Sequence, residues 1–132
     1  MTAWHTMTAV ALGQGISAGE IDPVDLAEHF LERIAVEDPA HLVFIRMAEE
    51  RTRAEAQAAR QRQKGGLRRG PLDGVPVSWK DLVDVAGVET TMATTALKGR
   101  VPEHDAVLLS RATHAGTVFL GKTNMTEFAF SG

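Results

Sequence analysis

At Gly65 the chain changes grammar, and no other property restricts its possible folds as much. Up to Lys64 the sequence consists of helix formers and helix signals, and from Gly65 onward it breaks into short apolar runs separated by glycine and proline. The second pattern is what buried strands and tight turns require. In the first half, Asp22-Pro23-Val24-Asp25 supplies an N-cap carboxylate, a proline at the first helical position and an acid in the first turn, which together predict a helix start. Val24, Ala27, Phe30 or Leu31, and Ile34 follow at helical spacing, giving one apolar stripe that must be buried against another element. Pro39 follows its end. After a short extended run over residues 42–45, the stretch from Met47 to about Lys64 is rich in Ala, Glu, Arg and Gln, all strong helix formers. Glu49 with Arg53 and Arg51 with Glu55 lie four apart, a spacing that supports a water-facing helix weakly. Arg60, Arg62, Lys64, Arg68 and Arg69 gather where this helix gives way to a loop. They read as a solvated helix end in preference to an RNA or phosphate contact, because cations near a helix C-terminus need no ligand.

In the second half, GGLRRGPLDG predicts a loop, and residues 75–79 predict a short strand that leaves Lys80 near its C-terminal end. DLVDVAG either extends that strand or turns. Asp105 is placed to cap a helix through Val107, Leu108, Leu109 and Ala112, ended by Gly116, and residues 117–120 form the next strand. A strand, a crossover containing one helix and another strand make the βαβ arrangement of a parallel sheet. The fold class expected is therefore α/β, with N-terminal helices packed on a mixed, mostly parallel sheet.

Composition narrows the function. With 132 residues, 44% of them hydrophobic and 23% charged, the chain belongs to the soluble globular class and can support one modest core. A formal net charge of −3 gives no reason to expect a nucleic-acid or anionic-membrane partner. Five histidines without a cysteine argue against a structural zinc site and remove any disulfide framework. The start, MTAWHTMTAVALGQG, lacks a basic n-region, and Thr8, Gly13 and Gln14 break its apolar stretch. Neither a signal peptide nor a membrane span is read there, so the cytoplasm is the expected location.

Lys80 has two readings from the residues alone. A strand-end lysine can simply extend its ammonium into water. Alternatively, the C-terminal end of a sheet strand is where α/β proteins form ligand crevices, and a lysine desolvated there loses its proton more easily and can act as a base. Spacing does not choose between them. Asp81 and Asp84 read as turn residues or partners of backbone N–H groups, Thr90 to Thr95 as a structural turn, and Asn124 with Glu127 as anchors of the turn after the last strand. The histidines show no metal-like spacing.

Two segments carry a resemblance. GPLDGVPVSWKDL at residues 70–82 and GKTNMTEFAF at 121–130 resemble, in the right order, two landmarks of the amidase signature family: its G-x-P-V-x-x-K-D strand and the segment preceding its serine–glycine-rich signature. Residues 84–88, Thr90-Thr91, Val101-Pro102 and Asp105-Ala106 also look familial, whereas the helical region from about residue 21 to 59 matches only in pattern and order. The resemblance implies that the chain is the N-terminal part of a single amidase domain, helical over 1–64 and bearing the lysine over 65–132, within an α/β/α fold. It implies a Ser–cisSer–Lys triad that cleaves carboxamide C–N bonds through an acyl-enzyme, with Lys80 as the catalytic lysine and no metal or organic cofactor. Ala129, Phe130 and Ser131 would approach the acyl-binding side; alternatively, Phe128 and Phe130 alternate along an extended segment and pack in the core. Ser17, Ser78, Ser110 and Ser131 are the only serines present, and none has the family's glycine–serine context. The chain alone is therefore expected to be inactive. Its expected partners are an amide substrate and the remainder of an amidase chain, with self-association through uncovered apolar surface also in view. The alternatives are the glutaminase component of a tRNA-dependent amidotransferase, which passes ammonia to partner subunits, and a non-catalytic interaction module.

Overall fold

The computed structural model describes residues 3–130. Helix α1 (Ala9–Ala18) starts where the Thr8 hydroxyl accepts from Ala11 N and ends at Gly19, whose φ of 76° reverses the chain. Helix α2 (Pro23–Glu37) begins as its sequence predicts, with the Asp22 carboxylate accepting from Val24 N at 2.8 Å. Its buried stripe contains Leu26, Ala27, Leu31 and Ile34, with Val24 and Phe30 partly buried beside it. Asp38 then gathers the backbone N–H groups of Leu42, Val43 and Phe44 on its carboxylate. This turn delivers strand β1 (Phe44–Arg46), shorter and later than the extended run expected. Helix α3 (Glu49–Lys64) buries only Thr52, Ala56 and Ala59. These small side chains let it lie close to α2 and to the sheet, where Ala27, Ala56 and Val118 form one core cluster.

Strand β2 (Pro76–Lys80), helix α4 (Val107–His114) and strand β3 (Val118–Thr123) complete the frame, and β3 is central in the order β1-β3-β2. β2 pairs parallel to β3, as the βαβ pattern implies, and β1 pairs antiparallel to it, so the sheet is mixed. Leu31, Ile34 and Leu120 pack on the helical side, and Val83, Val85, Leu109 and Phe119 pack under the loop and α4. The pairing of β2 with β3 slips by one residue, from Val77–Phe119 to Ser78–Gly121, so Leu120 is unpaired in a bulge. Gly121 consequently lies against Met47 and Phe44, where a Cβ would collide. The next side chain, Lys122, returns to the loop side of the sheet.

Several charged groups expected to face water instead hold these layers together. Arg51 donates to Glu55 at 2.8 Å and bidentately to Asp105 at 2.8 and 2.7 Å, while Glu55 also accepts from Phe119 N. Asp105 is thereby occupied, and it accepts from Ala86 N as well. It does not cap α4, whose N-cap is Ala106 without a side-chain bond. Three arginines of the basic cluster are likewise consumed internally, while Lys64 and Arg69 remain exposed. Arg60 pairs with Asp22 and Asp25, Arg62 forks onto Asp73, and Arg68 donates to the Asp73 carbonyl.

Candidate active site

In a parallel pair the C-terminal strand ends coincide, and Lys80 stands opposite Thr123 at that edge. Three loops converge there. Asp81 N donates to Thr123 O, Asp81 O accepts from Met92 N, and Met92 O accepts from Phe128 N. One backbone relay thus connects the lysine's neighbour to the turn that carries Ala129. Met92, Ala93, Phe128 and Ala129 all have φ between 50° and 60°, a left-handed conformation that costs a non-glycine residue about 1–2 kcal/mol. Such strain collects where surrounding structure holds it for a purpose.

Among the described residues, Lys80 is exposed at this edge and makes no salt bridge. Ser78, two positions back, is exposed as well, as strand alternation requires. The desolvation that would make Lys80 a base is therefore not supplied by these residues. Ala129 is exposed, Phe130 is 80% exposed and Phe128 is exposed too, so the phenylalanines do not pack in the core. The short apolar turn leaves them no layer to enter. Ser131 lies outside the described residues. Asn124 anchors the segment as expected: its side chain donates to Leu42 O and its N–H to Val43 O.

The lysine taken out of water is Lys122, which sequence reasoning passed over. It is 0% exposed; its ammonium donates to the Thr90 hydroxyl and to Glu89 O at 3.3 Å and forms an ion pair with Asp81 Oδ1 at 2.8 Å. The other Asp81 oxygen accepts from Thr91 N at 3.0 Å, from the Thr91 hydroxyl at 2.7 Å and from Arg46 at 3.1 Å. Arg46 also holds Glu89 at 2.9 Å. Burial pushes the Lys122 ammonium below the usual lysine range, opposed by Asp81. Burial would raise the Asp81 carboxyl, but Lys122 and Thr91 outweigh it and hold it below the usual range. With Arg46 and Glu89 the pair makes a cluster of two basic and two acidic side chains.

Between α2, β1 and β2 lies a concavity of about 500 Å³ lined by residues including Phe30, Ile34, Phe44, Ser78 and Leu120. Lys80 is not among its walls. Among the described residues no cluster of three or more His, Cys, Asp or Glu could hold a metal, and no helix is long and apolar enough to cross a membrane.

A family model described as Amidase matches residues 25–132. The chain is 37% identical over 129 residues to a glutamyl-tRNA(Gln) amidotransferase subunit of Chloroflexus aurantiacus, covering 98% of this chain and 26% of that protein. It is 43% identical over 117 residues to the protein of the same name from Anaeromyxobacter dehalogenans, covering 89% and 24%. Among solved structures it resembles native peptide amidase from Stenotrophomonas maltophilia, with a TM-score of 0.86, 33% identity and coverage of 96% and 26%. The chain thus spans about a quarter of the length of these relatives.

Proposed function

The chain belongs to the amidase family, and from that membership we propose that it forms the lysine-bearing opening of an enzyme that hydrolyses carboxamide C–N bonds by a Ser–cisSer–Lys triad. Lys80 is its proton carrier. Both serines come from sequence corresponding to the remaining three quarters of the relatives' length, which also covers Lys80 and removes it from water. The observation that carries this reading is the position of Lys80: it closes a parallel strand at the edge where three loops converge and four non-glycine residues are held left-handed. Ala129 and Phe130 follow on the same edge and, together with Ser131, flank the acyl group of the substrate. Residues 1–132 alone hydrolyse nothing, and their uncovered apolar surface is a site of association with the rest of the enzyme.

The test is made in the enzyme that contains this chain. Lys80→Ala should keep the fold by circular dichroism while amide hydrolysis falls by about 10²–10⁴-fold, the usual contribution of a general base. Lys80→Arg should fail equally, since a guanidinium does not accept the proton, and Ser78→Ala should cost far less. Near-normal turnover by folded Lys80→Ala would return the residue to a solvated role. A second reading rests on the amidotransferase subunits among the relatives: the amide is glutamine, and its ammonia passes to a partner. Glutamine hydrolysis that appears only with partner subunits present would favour it. A protein without amidase activity in either setting would favour the interaction module.

A further inference from the structure

A buried ion pair is weak evidence of stabilisation, because desolvating two charges costs about as much as their attraction returns, and apolar residues of equal volume often serve as well. Lys122 and Asp81 are nonetheless both fully buried and in contact at 2.8 Å, with the ammonium also held by Thr90 and Glu89 and the other Asp81 oxygen by Thr91 and Arg46. What distinguishes their location is that Asp81 immediately follows Lys80. Successive strand residues point to opposite sides, so the same peptide presents an exposed lysine and a buried carboxylate. The Asp81 backbone is held on both sides, through Thr123 O and Met92 N.

We propose that Lys122 is a positioning residue for Lys80: it neutralises Asp81 inside the protein, which clamps the end of β2 and keeps that acid from stabilising the Lys80 ammonium. The proposal rests on the reading of Lys80 as the proton carrier. The charged groups around Asp81 are Lys122 from β3, Arg46 from β1, Glu89 from the following loop and, farther off, Asp84. Asp84 is paired with Arg100, which leaves Lys122, Arg46, Asp81 and Glu89 as a balanced set. Arg46 already serves both carboxylates, so without the Lys122 charge one uncompensated negative charge lies a residue from Lys80. An opposite charge favours the protonated amine. Activity that needs neutral Lys80 then appears only at higher pH.

The experiment is a kcat/KM pH profile on a simple carboxamide for the enzyme containing this chain. Lys122→Met should move the rising limb upward by about one pH unit, the order of shift a nearby charge produces. Asp81→Asn leaves an excess cation and should move it downward. Lys122→Met with Asp81→Asn should bring it back to the wild-type position. A residue that only supported the fold would lower kcat/KM at every pH and move no limb. Unmoved limbs in the folded single variants would overturn the proposal. Should Lys122→Met not fold, Asp81→Asn decides it, by a downward shift or its absence. Lys80→Ala separates the two readings: if it stays active, the assignment of Lys80 is wrong, whereas an inactive Lys80→Ala with unmoved limbs sinks only the role of Lys122.

Discussion

Replacing Asp73 with alanine should uncouple the loop after α3 from the rest of the molecule. Asp73 is 1% exposed. Its carboxylate accepts from Arg62 Nε at 2.9 Å, from Arg62 Nη2 at 2.6 Å and from Arg69 N at 2.8 Å. Removing it leaves the Arg62 guanidinium, only 17% exposed, without its counter-ion, and orphaning one member of a buried pair costs about 3–5 kcal/mol. Asp25→Ala provides the control: its side chain is 65% exposed and contacts Arg60 once, at 3.1 Å, a surface pair worth about 0–1 kcal/mol. Hydrogen exchange read by mass spectrometry over residues 66–75 measures the local opening directly. Because each 1.4 kcal/mol is about tenfold, protection there should fall by at least about 100-fold in Asp73→Ala and by less than about tenfold in Asp25→Ala. Arg62→Ala combined with Asp73→Ala should cost less than the sum of the two, since both remove the same contact. A loss below tenfold in Asp73→Ala would refute the argument and return the basic cluster to the solvent.

Two further outcomes concern the same framework. Gly116 has a φ of 97° and its missing Cβ would collide with the Asp73 side chain; Gly116→Ala should therefore lower the thermal midpoint, and by much less in an Asp73→Ala background, where only the backbone strain of about 1–2 kcal/mol remains. Asp73, Asp81 and Asp105 have carboxyl groups held below their ordinary value of 3.8: burial acts against all three and is the largest single influence at the first two, where hydrogen bonds from arginine, lysine and threonine together outweigh it, while at Asp105 the Arg51 bonds lead. A folded-state value below the unfolded one gives stability that is complete above the unfolded value and lost as pH falls through the folded one. Calorimetry should find a thermal midpoint that is flat from about pH 7 to 5 and falls steeply below about pH 4; a midpoint unchanged at pH 3 would contradict this.

How far the sequence could be read depended on the range of the interaction involved. Helix α2 was legible because its cap, proline and stripe lie within a few residues of one another, and the α/β class followed from the strand, helix and strand after Gly65. The strand-end position of Lys80 was visible in the same way. What escaped was set by partners far along the chain. Asp105 has the identity and position of a cap, but it is taken by Arg51, 54 residues away. The arginines near residue 62 look like a solvated helix end until Asp22 and Asp73 are brought to them. Lys122 could not be told from an exposed strand-end lysine, since its counter-ion and hydroxyl partner lie at positions 81 and 90. Periodicity also misled at Phe128 and Phe130, where an apolar alternation of two residues did not mean burial.

The unpaired Leu120 in β3 has a consequence for the arithmetic of the strand. An unbroken strand assigns its side chains by parity, and Val118, Leu120 and Lys122 would then share the face covered by α2 and α3. The slip between Phe119 and Gly121 resets that count, so one strand addresses two audiences: an oily one under the helices through Val118 and Leu120, and an ionic one under the loop through Lys122. Lengthening or shortening β3 by a single residue upstream of Lys122 would exchange these destinations, delivering an ammonium to a layer of Leu31 and Ile34. In this segment the identity of each residue therefore matters less than the odd or even number of steps by which it is reached.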